Sequence, residues 1–99
     1  MATTFADHGT LVADTVTTVT LTATENFNLR VQNRGTSGTI YYTFGATTPA
    51  TPTVAGDDTY ALPPGACDEW PEVVIGRPGT AQIVKLISSA TPEFSVEAW

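Results

Sequence analysis

The sequence is short of the residues that most enzyme and metal sites need. Its 99 residues contain one cysteine, one histidine and only four basic side chains. With Cys67 as the single cysteine, an intrachain disulfide and zinc sites built from several Cys and His ligands are excluded. We interpret Cys67 as a small packing residue or a loop thiol. His8 stands beside Asp7 near the start of the chain with no nucleophile nearby in sequence, so a catalytic triad is not expected.

Basic residues are too few for binding to phosphate-rich or anionic surfaces. Four Lys and Arg residues stand against ten Asp and Glu residues, which gives a net charge of −6. Proteins that neutralise nucleic-acid phosphates or anionic lipids use Lys and Arg for it. We therefore expect neither a nucleic-acid partner nor a membrane partner. The start of the chain shows no secretory leader pattern and no run reaches the roughly 20 apolar residues of a membrane span, so synthesis in a cytoplasm is expected.

The sequence also lacks the short motifs that carry catalysis or cofactor binding. It contains no Gly-rich phosphate loop and no HExxH, GxSxG or CxxC pattern. The neighbouring acids Asp57 and Asp58 lack the further oxygen ligands that a calcium loop needs, and we interpret them as turn residues. We accordingly predict no enzymatic activity, no cofactor and no metal site.

Threonine and two-residue alternation dominate what the sequence does contain. The nineteen threonines are β-branched and polar, which suits the outer faces of strands. Phe27, Leu29 and Val31 alternate with polar residues in the clearest half-buried strand pattern. Similar short segments recur along the chain between Gly- and Pro-containing turns. We predict a small all-β antiparallel sandwich or barrel, jelly-roll-like or immunoglobulin-like, of about seven to nine short strands.

Three segments of this domain are predicted more closely. Residues 1–8 are expected to form an extended N-terminal arm, and residues 9–99 a single β-sandwich domain. Residues 33–38 supply turn residues between two strand patterns, so the flanking strands are predicted to form a hairpin. Residues 45–58 are a long connection rich in Ala, Thr and Pro, of a kind that often contacts ligands or partners.

Candidate interface residues lie in the arm, in the long connection and at the two tryptophans. Large aromatic residues dominate interface hot spots but also fill cores, so Trp70 is either a core or an interface residue. Trp99 is either packed under a loop or presented to a neighbouring chain. The acids beside Trp70 form either a solvated loop or a contact for a basic partner surface. The candidate interface residues are Thr3, Thr4, Phe5, Asp7, His8, Thr47, Thr48, Pro49, Trp70 and Trp99.

Several segments carry a resemblance to a known class of protein. They are residues 31–35 (VQNRG) leading into residues 40–45 (IYYTFG), residues 56–65 (GDDTYALPPG), residues 84–88 (VKLIS) and residues 94–97 (FSVE). In this pattern, over about residues 15–99, the chain resembles small structural proteins encoded in the head–tail gene clusters of tailed bacteriophages.

The resemblance implies a compact β-domain located on the virion. Proteins of this class act as capsid decoration (cement) proteins or as small tail-associated modules, and they are commonly homo-oligomers, often trimers at local threefold positions. The implied function is capsid decoration, in which the protein binds the assembled head and stabilises it. The major capsid protein or another virion protein is then the partner. A tail-associated or receptor- and glycan-binding module stays open as the alternative, with Tyr41 or Tyr60 stacking sugars.

Overall fold

The computed structural model describes residues 5–22, 26–46, 49–57, 59–73 and 81–99. Within those ranges the chain is all β, and every strand pair is antiparallel. No helix in the described part of the chain is long and apolar enough to cross a membrane. The strands are β1 (Phe5–Thr10), β2 (Thr17–Thr22), β3 (Phe27–Asn33), β4 (Ile40–Ala46), β5 (Tyr60–Leu62), β6 (Cys67–Val73), β7 (Ala81–Ile87) and β8 (Glu93–Ala98).

The eight strands form two four-stranded sheets that pack into a sandwich. Sheet A has the order β1-β8-β3-β6, and sheet B has the order β2-β7-β4-β5. Successive strands alternate between the sheets except β4 and β5, which are neighbours in sheet B. This is the order of an eight-stranded jelly roll. It confirms the predicted small β-sandwich and selects the jelly roll over the immunoglobulin alternative, in which the first two strands are neighbours in one sheet.

The core lies between the sheets and consists mainly of inward-facing residues at alternating strand positions. The alternation predicted for β3 is confirmed, since Phe27, Leu29 and Val31 are all buried. In β7, Val84 and Leu86 are buried, whereas Lys85 lies on the outer face. The other buried hydrophobic residues are Leu11, Val19, Leu21, Ile40, Tyr42, Leu62, Ile87, Phe94, Val96 and Ala98. Burial of these side chains is the main force that holds the two sheets together.

The connection between β3 and β4 crosses from one sheet to the other, so the predicted hairpin is wrong. β3 lies between β8 and β6, whereas β4 lies between β7 and β5. Asn33 fixes this crossing from a completely buried position. Its Nδ2 donates to the carbonyl oxygens of Gly38 (2.8 Å) and Leu62 (2.9 Å), and its Oδ1 accepts from the amide of Gly35 (2.9 Å). One side chain thus ties sheet A to two segments that lead into or out of sheet B.

Residues 5–8 are part of sheet A rather than of a free arm. β1 pairs with β8 along its whole length, from Phe5 opposite Ala98 to Thr10 opposite Glu93. Phe5 is partly buried and packs against the core. The predicted domain boundary after residue 8 therefore falls inside a strand. The sequence does not show the alternation typical of a half-buried strand here, because the inward-facing position after Phe5, opposite Val96, is the exposed Asp7. Residues 1–4 lie outside the described residues.

Candidate functional site

Trp99 stands on the outer face of sheet A, directly after the end of β8. Its backbone exchanges two hydrogen bonds with Asn28, at 3.1 Å and 2.8 Å, and the Asn28 Nδ2 donates to the Trp99 carbonyl oxygen at 3.2 Å. The residue as a whole is nevertheless 41% exposed. Of the two interpretations left open for Trp99, the structure favours presentation at the surface, because its backbone is fixed while its ring is accessible.

Arg30 lies beside Trp99 and links it to the edge strand β6. Its guanidinium carbon is 5.1 Å from the centroid of the Trp99 ring, within the range of a cation–π interaction. Its Nη2 and Nε donate to one carboxylate oxygen of Glu69, at 2.7 Å and 3.0 Å. This hydrogen bond raises the pKa of Arg30 above its ordinary value. Glu97 occupies the position opposite Arg30 on β8, so the cation lies between two acids of the neighbouring strands.

A β-bulge shapes the surface next to Trp99. The register between β3 and β6 shifts between Phe27 and Leu29. Pro71 lies in this part of the edge strand and has no amide hydrogen to donate. Glu72 follows with a φ of 52°, a left-handed conformation that is uncommon for a residue other than glycine. Its amide donates to the Asn28 Oδ1 at 3.2 Å, so Asn28 fixes both the bulge and Trp99. Bulges of this kind are frequent next to functional sites.

Two shallow clefts lie on either side of the Trp99 ring. The cleft on the β6 side, about 210 Å³, is lined by Asn28, Glu69, Trp70, Pro71 and Trp99. The cleft on the β1 side, about 300 Å³, is lined by Phe5, Ala6, Arg30, Glu97, Ala98 and Trp99. Three of the predicted interface residues, Phe5, Trp70 and Trp99, thus come together here. We call the region the Trp99 surface and define it by Phe5, Asn28, Arg30, Glu69, Pro71, Glu97 and Trp99.

A cluster of four aromatic rings lies between the sheets, where β5 and β6 form the sandwich edge. The ring of Trp70 is 4.8 Å from that of Tyr60 and 5.1 Å from that of Phe44, centroid to centroid, and Tyr42 lies 5.3 Å from Tyr60. Trp70 is partly buried and packs against the core, whereas Tyr60 is 43% exposed. Of the two interpretations offered for Trp70, the structure favours the core residue, and the side chain also lines the cleft on the β6 side of Trp99.

A short hydrogen-bond chain joins this cluster to β6. The Trp70 Nε1 donates to the Tyr42 hydroxyl oxygen at 2.9 Å, and that hydroxyl donates to the Asp68 Oδ2 at 2.7 Å. Burial, followed by the hydrogen bond to Asp68, raises the pKa of Tyr42 well above its ordinary value. The folded protein thus holds the Tyr42 phenol in its neutral form.

Replacing Tyr42 by phenylalanine is expected to lower the free energy of unfolding by about 1–3 kcal/mol, because Trp70 and Asp68 lose their shared partner. The difference in the free energy of unfolding between the wild type and Tyr42→Phe should shrink above about pH 10. In the wild type the unfolded chain ionises Tyr42 there while the folded chain does not, which lowers stability by about 1.4 kcal/mol per pH unit. Urea unfolding from neutral to alkaline pH measures both effects. Tyr41→Phe removes a hydroxyl from the outer face of the same strand and serves as the control; equal pH slopes for Tyr42→Phe and wild type would contradict the assignment.

The other predicted interface residues lie away from the Trp99 surface or outside the described ranges. Asp7 and His8 are exposed on β1. His8 lines a separate cleft with Arg34 and Glu93. Pro49 lies across the outer face of sheet B, where its carbonyl oxygen accepts from Lys85 Nζ at 3.3 Å. Thr3, Thr4, Thr47 and Thr48, like Asp58, lie outside the described residues.

Cys67 and the acidic side chains do not gather into a metal site within the ranges that the structure describes, where no group of three or more His, Cys, Asp or Glu residues is suitably placed. Cys67 is exposed and lies opposite Gln32 at the start of β6. Desolvation raises the pKa of its thiol, although the nearby Arg30 opposes this effect. The thiol is therefore mainly protonated at neutral pH, which makes it a poor nucleophile.

Comparison with known proteins identifies the fold. No family model matches the chain, and no curated protein matches it. A de novo designed double-stranded β-helix is 13% identical, with a TM-score of 0.56 over 96% of this chain and 99% of that one. The Yersinia pseudotuberculosis-derived mitogen is 14% identical, with a TM-score of 0.61 over 99% and 86%. PliG of Aeromonas hydrophila, a periplasmic lysozyme inhibitor of g-type lysozyme, is 11% identical, with a TM-score of 0.59 over 98% and 85%. At these identities the likenesses establish the fold of the chain and assign it no function.

Proposed function

We propose that the protein is a structural protein of a tailed-bacteriophage virion and that it decorates the assembled head through the Trp99 surface. The sequence resemblance supports a location on the virion, and the jelly roll is an architecture that viral capsid domains use. The observation that carries the proposal is Trp99 itself, an exposed aromatic ring held by Asn28 and Arg30 between two clefts. The partner is the major capsid protein or another protein of the virion.

The composition of the Trp99 surface suits a protein partner. Tryptophan and arginine are the residues most enriched at interface hot spots. Both side chains are already restrained in the free chain, Arg30 by its hydrogen bonds to Glu69 and the Trp99 ring by its contact with Arg30, so docking loses little side-chain freedom. The acids Glu69 and Glu97 at the margin favour a partner with basic or hydrogen-bond-donating groups.

A weak contact at each site is sufficient for a protein that stabilises an assembled shell. A protein that binds the assembled head and not the free capsid subunit stabilises the head by mass action. Many equivalent sites on one particle add their contributions, so each site need not be tight.

Co-sedimentation of the purified protein with capsid shells that lack it, and separately with purified tails, tests the proposal. We expect binding to shells, and we expect Trp99→Ala to weaken it roughly 10- to 30-fold, the effect of a hot-spot residue. Val12→Ala is the matched control, since Val12 is 61% exposed but lies beyond the other end of β1. Absence of binding to shells would refute decoration, and equal binding by both variants would refute the Trp99 surface.

A glycan-binding module is the second candidate, and the aromatic cluster favours it. Tyr60 presents an exposed ring against Trp70, and Asp68 beside them offers a carboxylate that could accept hydrogen bonds from sugar hydroxyls. Jelly rolls also occur in lectin domains. On a glycan array this candidate predicts binding that Tyr60→Ala abolishes and that Tyr41→Ala, on the outer face of sheet B, leaves in place. A wild-type protein that binds no glycan would end this candidate.

A further inference from the structure

The two sheets end in four outer strands. β1 and β6 are the outer strands of sheet A, and β2 and β5 are those of sheet B. Within the described ranges, no strand lies beyond any of them. An outer strand offers unpaired backbone groups to any chain that can approach, so soluble proteins usually block such edges with charges, proline, bulges or short strands.

Three of the four outer strands have such a block. β6 contains Pro71 and a bulge, together with three acidic side chains along its length. β5 is only three residues long and is followed by Pro63 and Pro64. β1 carries Asp7 at an inward-facing register position, opposite the buried Val96. A second chain pairing with any of these strands would meet a charge, a missing donor or too short a ladder.

β2 has none of these blocks. Its six residues, TTVTLT, include no charge, no proline and no glycine. It pairs with β7 in continuous register without a bulge. Val19 and Leu21 are buried in the core, while Thr18 and Thr20 are exposed on the outer face. An uncharged strand of high β-propensity without a bulge is the form of edge that accepts a further strand most readily.

We propose that β2 pairs antiparallel with β2 of a second copy of this chain, so that sheet B becomes one continuous sheet across a two-fold axis. The lack of charge on β2 points to a second copy as the occupant, because two acidic chains can approach each other most easily along an uncharged edge. The chain carries a net charge of −6, and self-pairing of the acidic β6 edge would bring carboxylates together. Self-pairing of β2 opposes no charges, and like-charge pairs across strands are destabilising.

The sequence of β2 also fits self-pairing geometrically. Registers centred on Val19 or on Thr20 both keep Val19 and Leu21 on the core face and Thr18 and Thr20 on the outer face, so both faces of sheet B continue across the junction. Thr–Thr pairs across strands are themselves favourable. A two-fold contact of this kind is closed and gives a dimer, not the trimer that the virion resemblance implies.

Sedimentation equilibrium over a wide range of protein concentration tests the proposal. We expect the wild type to approach twice the chain mass of 10.4 kDa at high concentration. The double variant Thr18→Lys/Thr20→Lys should stay monomeric, because lysines then oppose each other in either register. The double variant Thr36→Lys/Ser37→Lys adds the same two charges to an exposed loop and should dimerise like the wild type. A monomeric or trimeric wild type, or dimers of both variants alike, would overturn the proposal.

Amide hydrogen exchange gives a second measurement that uses no variant. Raising the wild-type concentration should slow exchange within β2 at least several-fold, while exchange in β1 and β6 stays the same. Unchanged exchange in β2 would count against the pairing. Because both measurements use the purified chain without capsids, they succeed or fail independently of head decoration.

Discussion

Asn33→Ala is expected to lower the free energy of unfolding by about 3–4 kcal/mol, because the substitution leaves buried polar groups without partners. The Asn33 side chain is completely buried and makes three hydrogen bonds to backbone groups of Gly35, Gly38 and Leu62. Alanine supplies none of them and also leaves a cavity. For a domain of this size, whose total stability is on the order of 5–10 kcal/mol, the loss is large. Urea unfolding followed by circular dichroism measures it.

The direction of the Asn33 hydrogen bonds provides a sharper form of this test. Asn33→Asp keeps the size and the acceptor for Gly35 but places a carboxylate against the carbonyl oxygens of Gly38 and Leu62, so we expect it to be at least as destabilising as alanine at neutral pH. Gln32→Ala, on the outer face of the same strand, is the matched control and should lose less than about 1 kcal/mol. If Asn33→Ala behaved like this control, Asn33 would not be what fixes the crossing between the sheets.

Strand positions were largely predictable from the sequence, because alternation is a local property. The alternating pattern of Phe27, Leu29 and Val31 corresponds to the observed strand β3, Phe27–Asn33. Strand partners were not predictable in the same way. Two alternating segments with turn residues between them bury one face each, whether they pair with each other or lie in opposite sheets. The hydrogen bonds of Asn33 decide between these outcomes, and they involve Leu62, which lies 29 residues further along the chain.

The candidate site likewise combines residues that the sequence alone could single out with residues whose roles depend on the order of the strands. Trp70 and Trp99 could be singled out from the sequence because large aromatic side chains are either core or interface residues wherever they occur. Arg30 and Asn28 could not, because their roles depend on β3 lying between β8 and β6. That order brings Trp99 and Glu69 to opposite sides of Arg30, from positions 69 and 39 residues away in sequence. The acids near Trp70 were interpreted as a solvated loop or as a contact for a basic partner surface, whereas they lie in β6 and Glu69 forms an ion pair with Arg30 of this chain.

Removing residues 1–8 is expected to destabilise the fold severely, in contrast to the behaviour of a free arm. The truncation takes away Phe5 and most of β1, so β8 becomes the outer strand of sheet A and its ladder loses half its partners. Loss of the partly buried Phe5 and of several ladder hydrogen bonds should lower the free energy of unfolding by about 4–6 kcal/mol, close to the stability of the whole domain. Thermal unfolding of the truncated and full-length chains measures this difference.

A shorter truncation separates this structural effect from any role in attachment. Removing residues 1–4 leaves all of β1 in place, so we expect the melting temperature to change little. Capsid co-sedimentation of this shorter truncation then reports on attachment without the destabilisation that β1 loss causes. If the chain lacking residues 1–8 melted like the full-length protein, β1 would be dispensable for the sandwich. β8, which ends at Ala98 just before Trp99, would then need no neighbour on that side, and the Phe5 side of the Trp99 surface would lose its structural basis.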